Sequence, residues 1–235
     1  MQISVAGEPC VLRAAGTLWL PQHQTLVVSD LHFEKGSAYA ARGQLLPPYD
    51  TRETLNRLMA ELVAVQPRCL VFLGDSLHDM GAISRIPVAE REAIMGLARD
   101  FDLVWISGNH DPDGGAAFGG RSADEVRLGQ LVLRHEPLTG EAVGKAVGEV
   151  CGHLHPCAVV RGPAGSVRRR CFIGDGSRLI MPSFGAYTGG LNVHDRAYGE
   201  LFQQAPTAYL TGERVARVPY HRLSPDRSRP IRRSA

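Results

Sequence analysis

Three short apolar runs, each followed at once by polar residues, most constrain the fold of this 235-residue chain. Each run is too short for a helix and too apolar for an exposed strand, so each is typical of a strand buried on both faces. The runs are residues 25–29, 69–73 and 103–107. Helical periodicity lies between them, after Asp50 and over residues 88–99. This alternation predicts an α/β core with a parallel sheet.

The second half of the chain has a different pattern. Short strand-like runs alternate with glycine-rich turns, and no long amphipathic helix separates them. The runs are residues 125–128, 131–134, 147–151, 158–160 and 167–173. They predict a second, more antiparallel sheet that packs on the first. We expect a single domain over residues 1–211 and a basic, flexible tail over residues 212–235, which is rich in Arg, Pro and Ser.

The residues that follow the predicted strands are of the kinds that bind metals. The segments are Asp30-Leu31-His32, Gly74-Asp75, Gly108-Asn109-His110-Asp111, His135 and Gly152-His153-Leu154-His155. Ligands of open α/β sheets gather at the carboxyl ends of the strands, so we expect these loops to converge. One such segment alone is a weak signal, whereas five in this order indicate a metal site of carboxylate, amide and imidazole groups.

Other features of the sequence exclude several classes of protein. The five cysteines are odd in number and form no Cys-x-x-Cys pair, which argues against a disulfide framework and a thiolate zinc site. No apolar stretch approaches the roughly 20 residues that a membrane helix needs. The first residues do not have the pattern of a secretory signal. We therefore expect a soluble, cytoplasmic protein with no membrane partner.

The ordered polar segments resemble those of the calcineurin-like metallophosphoesterase superfamily. Longer stretches resemble its PdeM family, the bacterial ligase-associated DNA damage response endonucleases. These stretches are DLHFEKG (30–36), RGQLLPPYDTR (42–52), GDS (74–76), RHEP (134–137) and PSFGAYTGGLN (182–192). The resemblance extends from about residue 30 to residue 192. It implies an α/β fold, a four-layer α-β-β-α sandwich of two mixed sheets flanked by helices.

The resemblance also implies two divalent metal ions, with Mn²⁺ favoured and Fe or Zn²⁺ as alternatives. One ion would be held by Asp30, His32, Asp75 and His155, and the other by Asp75, Asn109, His135 and His153. Asp75 would bridge the two, because one carboxylate between two cations lowers their repulsion.

Hydrolysis of a phosphoester follows from this implied site. A water that bridges the two cations loses its proton near neutral pH and would attack phosphorus in line. His110 binds no metal in this scheme, so we expect it to protonate the leaving oxygen. Asp111 would orient the His110 imidazole and favour its charged form.

Substrate contacts are less constrained by the sequence than the metal site. The candidates are His78, Arg42, Arg168 and Arg170. Of the 26 basic side chains only two are lysine, and arginine suits phosphate because its planar fork binds oxyanions bidentately. Two alternatives stay open: His78 could form hydrogen bonds that shape the loop, and Arg168 to Arg170 could belong to a solvated strand.

The leading hypothesis is a DNA phosphodiesterase or endonuclease that acts in DNA repair. The resemblance implies an ATP-dependent DNA ligase, a helicase and an exonuclease-like protein as functional partners. The alternative is a phosphohydrolase of a small nucleotide or another small phosphoester, whose reaction would depend little on salt. A non-catalytic scaffold is a third hypothesis, but a scaffold would not need this complete polar set.

Overall fold

A computed structural model describes residues 1–112, 115–139, 147–163 and 165–226 of the chain. The strands are Gln2–Val5 (β1), Glu8–Leu12 (β2), Leu18–Leu20 (β3), Thr25–Val28 (β4), Cys69–Leu73 (β5), Asp102–Ile106 (β6), Arg121–Ala123 (β7), Glu125–Leu128 (β8), Leu131–Arg134 (β9), Gly148–Cys151 (β10), Cys157–Gly162 (β11), Gly165–Gly174 (β12), Arg178–Ile180 (β13), Thr207–Leu210 (β14), Ala216–Pro219 (β15) and Leu223–Ser224 (β16). The α-helices are Lys35–Ala40 (α1), Asp50–Val65 (α2), Ala82–Arg85 (α3) and Val88–Asp100 (α4). None of these helices is long and apolar enough to cross a membrane.

The first sheet contains β1 to β7 in their order along the chain. β1 to β4 form an antiparallel meander, and β4, β5, β6 and β7 are parallel neighbours. The parallel pairing of β4, β5 and β6 confirms the predicted α/β core. It also brings the carboxyl ends of these three strands to one edge of the sheet.

The second sheet has the order β15-β14-β12-β13-β10-β9-β8, and β11 pairs with both β12 and β16. β9, β10 and β13 are parallel, and the other neighbours are antiparallel. Both sheets are therefore mixed. The predicted runs over residues 125–128 and 131–134 are strands with those bounds.

Successive side chains along the parallel strands point to opposite faces of the sheet and so belong to two separate apolar cores. Val27, Val71 and Val104 point toward the second sheet and pack on residues such as Leu133 and Val150. Their chain neighbours Leu26, Leu70 and Leu103 point outward and pack against apolar side chains of α2 and α4. Each fully buried side chain of this size contributes about 1.5–3 kcal/mol. The two faces explain why these strands are apolar throughout.

The outer face of the second sheet is covered differently. Cys171, Ile173 and Ile180 lie on this face, and Val193 and Tyr198 pack on them. In the described ranges the covering segment contains a short 3-10 turn, Arg196–Tyr198, and no α-helix. The α/β sandwich of two mixed sheets is confirmed, with its α-helices packed on the first sheet.

The expectation of a flexible tail from residue 212 is corrected over residues 212–226. β15 pairs with β14, and β16 pairs with β11. Val215 and Val218 pack against the apolar cores. Arg214 and Arg217 beside these valines make the composition look like that of a tail, but charged side chains are also common on edge strands. Residues 227–235 of the expected tail lie outside the described residues.

Candidate metal centre

The loops after β4, β5 and β10 are bonded to one another at one edge of the sandwich. The Asp30 N–H donates to the Gly74 carbonyl at 3.3 Å, and the His32 N–H donates to the Asp75 carbonyl at 2.9 Å. From the second sheet, the His153 N–H donates to the Asp30 carboxylate at 3.2 Å. The loops therefore meet, as the strand topology requires.

Four of the expected ligands form a first group of converging atoms. His155 Nε2 lies 3.0 Å from Asp30 Oδ1 and 3.3 Å from His32 Nε2. His32 Nε2 lies 3.7 Å from Asp75 Oδ2. Asp30, His32 and Asp75 are buried and His155 is half-buried. Ring nitrogens and carboxylate oxygens that face a common point in this way suit a divalent cation.

A second group forms around the other oxygen of Asp75. His135 Nε2 lies 3.4 Å from Asp75 Oδ1 and 3.0 Å from Asn109 Oδ1. His153 Nδ1 lies 3.0 Å from Asn109 Oδ1 and 3.3 Å from His135 Nε2. Asp75 thus directs one oxygen into each group, which suits a carboxylate shared between two cations.

The His135 imidazole is fixed in position by its surroundings. Its Nδ1–H donates to the Leu73 carbonyl at 3.0 Å, which directs Nε2 into the second group. Gly74 packs directly on this ring at a φ of +77°, and a Cβ on Gly74 would lie 2.3 Å from the ring. Only glycine fits between the loop and the imidazole.

Backbone strain is concentrated on the expected ligands. Five of the seven have positive φ: Asp30 (54°), His32 (45°), Asp75 (46°), His153 (65°) and His155 (48°). For residues other than glycine this conformation costs about 1–3 kcal/mol each, and it persists only where the surroundings enforce it. Such strain clusters at functional sites, so it singles out these loops independently of their residue types.

Charge interactions keep the central carboxylates ionised. Burial alone would raise the pKa of Asp30 and Asp75, but His155 and His135 hold the pKa of each below its usual range. Burial lowers the pKa of His32 to about 3. For His135 burial is outweighed by the Asp75 and Asp30 carboxylates, which raise its pKa to about 9. The centre therefore offers two carboxylates to cations at neutral pH.

The donor set fits the metals that the resemblance implies. Within the described ranges both groups offer only oxygen and imidazole nitrogen, and His32 Nδ1 is buried without a hydrogen-bond partner. The neighbouring Cys151 is buried and belongs to neither group, and burial raises the pKa of its thiol. Mn²⁺, Fe and Zn²⁺ all accept such a set.

His110 lies at the border of the two groups. Its Nδ1–H donates to the His78 carbonyl at 2.8 Å, which directs Nε2 toward the centre, 4.0 Å from Asp75 Oδ2. The side chain is 40% exposed, so it is open to a substrate. The orienting group is a backbone carbonyl, which carries no signal in the sequence.

The expected role of Asp111 is corrected by the structure. Its Oδ2 accepts the N–H groups of Ser76 and Leu77 at 2.9 and 3.0 Å. Since the carboxylate is buried beneath the loop after β5, it caps that loop, while the carbonyl of His78 takes the position beside His110. Asp111 therefore acts on the backbone that carries Asp75.

His78, one of the expected substrate contacts, borders the centre. Its ring stacks on His110 with centroids 5.5 Å apart and lies 5.6 Å from the His32 ring. Burial lowers its pKa to about 4. The backbone of His78 shapes the site through its carbonyl, and its ring packs beside His110 and His32 at the edge of the centre.

Within the described residues, the three expected arginine contacts form no hydrogen bond with the expected ligands, although the charge of Arg42 acts on His78. Arg42 is exposed in the loop after α1. Arg168 and Arg170 are on β12, and the Arg170 guanidinium donates to backbone carbonyls that include those of Gly185 and Thr188, each at 2.9 Å. The hydrogen bonds of Arg170 therefore stabilise the loop that contains Gly185 and Thr188. The sequence contains no signal for this role.

Comparison with known proteins agrees with the geometry of the centre. Residues 23–170, more than half of the chain, match the model of the calcineurin-like phosphoesterase family. The structure is similar to that of the Pseudomonas putida nuclease MPE, with 28% identity, a TM-score of 0.72 and coverage of 93% of this chain and 99% of that one. YfcE, a phosphoesterase from E. coli, has 16% identity, a TM-score of 0.44 and coverage of 83% and 98%, a likeness too weak to add to the assignment. No curated protein matches the sequence. The chain belongs to the calcineurin-like phosphoesterase family of metal-dependent phosphoesterases.

Proposed function

We propose that the chain is a two-metal phosphodiesterase that cleaves DNA as an endonuclease. The observation that carries the proposal is the position of Asp75, whose two oxygens face two separate ligand groups. The first cation would be held by Asp30, His32, Asp75 and His155, and the second by Asp75, Asn109, His135 and His153. Mn²⁺ is the metal that we assign to both positions.

The protein groups around these positions have separate tasks in the reaction. When bound, two divalent cations supply Lewis acidity and lower the pKa of a water at the site. His110 donates a proton from Nε2 to the leaving oxygen, and the His78 carbonyl holds its ring in the productive orientation. Asp111 keeps the loop that carries Asp75 in place.

DNA is the substrate that two findings favour. The Pseudomonas putida protein, which this chain matches over nearly its whole length, is a nuclease. The stretches of sequence that resemble the PdeM family point the same way. We also propose a role in DNA repair in the cytoplasm, together with an ATP-dependent DNA ligase, a helicase and an exonuclease-like protein. Copurification of these proteins after DNA damage would test this wider role.

An assay panel with Mn²⁺ tests the proposed activity. It compares bis-p-nitrophenyl phosphate, the p-nitrophenyl monoester, and nicked, single-stranded and duplex DNA. We expect cleavage of the diester and of DNA, and loss of both with Asp75→Asn. Asp102→Asn, an exposed carboxylate at the opposite end of β6, is the matched control and should keep both activities. Cleavage of the monoester alone would contradict the proposal and favour the small-phosphoester alternative.

The role of His110 can be separated from metal binding. We expect His110→Ala to lower turnover of the diester by about 10²–10⁴-fold, because general-acid catalysis contributes that much. Titration calorimetry should still detect two Mn²⁺ per chain, since His110 belongs to neither ligand group. Full turnover of this variant at saturating Mn²⁺ would contradict the assigned role.

A further inference from the structure

A cavity of about 380 Å³ lies beside the metal centre and is lined by arginine. Arg57 on α2 faces it from one side, and Arg168 and Arg170 border it on β12. Alternation along the strand places the last two side chains on the same face. Among the described residues, the lining includes no acidic side chain. The cavity is therefore a concentrated positive patch.

One segment of chain separates this cavity from the metal centre. The Phe184 N–H donates to the Ser29 carbonyl at 2.8 Å, and the Gly185 N–H donates to the Asp30 carbonyl at 3.1 Å. The carbonyls of the same segment accept from the arginines. Cys157, which also lines the cavity, lies two residues after His155. The cavity and the cation ligands thus lie on two sides of residues 183–189.

Two of the guanidinium groups bond to carbonyls rather than to carboxylates. Arg170 donates to the carbonyls of Ser183 and Gly185 at 3.1 and 2.9 Å, and Arg57 donates to that of Phe184 at 3.0 Å. Carbonyls satisfy the N–H groups but do not neutralise their charge. Burial lowers the pKa of Arg170, and the nearby charge of Arg57 lowers it further. An anion in the cavity would relieve this repulsion.

Among the described residues of the lining, Arg168 is the arginine that forms an ion pair, whereas Glu53 and Glu61 act on Arg57 only at longer range. Its Nε lies 3.1 Å from Asp226 Oδ1, and its Nη2 donates to the Gly190 carbonyl at 2.6 Å. The two side chains of the ion pair are 43% and 49% exposed. Ion pairs this exposed contribute about 0–1 kcal/mol, so a phosphate can displace the carboxylate. Asp226 Oδ1, which also accepts from Asn192 Nδ2 at 3.1 Å, is the acceptor that a bound anion would replace at Arg168.

We propose that this cavity binds a backbone phosphate of the nucleic-acid strand, apart from the phosphate that is cleaved. The inference rests on the proposed action on DNA and adds a second contact to it. Guanidinium groups suit phosphate oxygens, and a contact of this kind positions the strand without reading its sequence. The segment over residues 183–185 bonds both to Arg170 of the cavity and to the backbone of Ser29 and Asp30, so it connects the two sites directly.

The test follows kcat/KM for a single-stranded oligonucleotide on the Mn²⁺-loaded enzyme at several NaCl concentrations. With Arg168→Ala we expect the slope of log kcat/KM against log [NaCl] to become shallower by about 0.7, the value for one phosphate contact with a single strand. We also expect a fall in the ratio of two values of kcat/KM, the value for the oligonucleotide divided by the value for bis-p-nitrophenyl phosphate. Arg68→Ala removes an exposed arginine before β5, at the opposite edge of the first sheet, and should leave the slope and the ratio unchanged.

Asp226→Asn distinguishes a phosphate site from a structural ion pair. Releasing the Arg168 guanidinium should raise the ratio, opposite to the effect of Arg168→Ala. If both variants lower the ratio, or if Arg168→Ala keeps the wild-type slope while the wild type cleaves DNA, the cavity is not a phosphate site. If the wild type cleaves no DNA at all, the proposed function fails as well. Melting temperatures of the variants show whether each one is folded.

Discussion

The buried carboxylate of Asp111 shows how a polar residue next to His110, the proposed general acid, can bind the backbone instead. Asp111→Ala would leave the N–H groups of Ser76 and Leu77 without their acceptor, at a cost of about 1–3 kcal/mol for each. Asp111→Asn keeps a carbonyl oxygen as acceptor. Burial raises the pKa of Asp111 to about 7, so Asn, which is neutral, resembles the protonated form of this side chain.

We therefore expect Asp111→Ala to lower the free energy of unfolding clearly and Asp111→Asn to lower it little. Urea unfolding measures this difference, and turnover of bis-p-nitrophenyl phosphate should follow the same order. A large loss of turnover in Asp111→Asn, with stability unchanged, would instead support a direct action on His110.

Gly74 is the residue at which a single methyl group should damage the second ligand group. Gly74→Ala adds a Cβ that would meet the His135 ring at 2.3 Å, so the imidazole must move. We expect Mn²⁺ affinity at that position to fall by about 10–100-fold, as for other losses of support around a ligand. Calorimetry with Mn²⁺ measures the effect.

Gly7→Ala is the control for backbone strain in this experiment. Gly7 has a similar φ of +86°, and a Cβ there would meet nothing within 4 Å. It should therefore lose about 1–2 kcal/mol of stability and keep its Mn²⁺ affinity. Equal losses of affinity in the two alanine variants would show that strain, and not the clash with His135, is responsible.

At the scale of elements, the sequence predicts what local patterns determine. β5 and α2 have strong apolar patterns, and the structure places both where these patterns indicate. β13 is only three residues long and begins at Arg178, a residue unexpected in a buried strand. Its charge is matched by Glu149 on β10, 29 residues earlier. A pairing over that distance has no local signal.

In the candidate site, too, features set by local patterns could be predicted and features set by distant contacts could not. The convergence of the expected ligand segments could be predicted because they follow buried strands whose carboxyl ends must meet. The arginine cavity and the backbone carbonyl beside His110 could not be predicted. They depend on how the segment around Phe184 and the loop at His78 are placed in three dimensions.

The segment over residues 212–226 offers a test at the element scale. A chain that ends at residue 211 lacks the partner strands of β14 and β11, which a chain that ends at residue 226 keeps. It also exposes apolar surface that Val215, Val218 and Leu223 cover. We expect a lower melting temperature for the shorter chain by calorimetry. Equal melting temperatures would show that these strands do not stabilise the fold.

At the scale of the whole molecule, the metal centre joins the two sheets. Asp30 and Asp75 follow strands of the first sheet, and His135, His153 and His155 follow strands of the second. When no cations are bound, the fold holds negatively charged carboxylates close together at this junction. It also holds several residues there in a strained backbone conformation. Cations at this junction would bind only when both sheets are packed, so binding energy becomes folding energy.

We therefore expect Mn²⁺ to raise the melting temperature and EDTA to reverse the increase. At a free Mn²⁺ concentration 100 times the Kd, one site contributes about 2.7 kcal/mol, which corresponds to about 5–10 °C for a chain of this size. For Asp75→Asn, Mn²⁺ should raise the melting temperature above that of the metal-free variant by much less than in the wild type, because Asp75 belongs to both ligand groups. Asp102→Asn should keep it. If Mn²⁺ raised the melting temperature of Asp75→Asn as much as that of the wild type, the stabilising ions would bind elsewhere, and the junction would not be the metal centre.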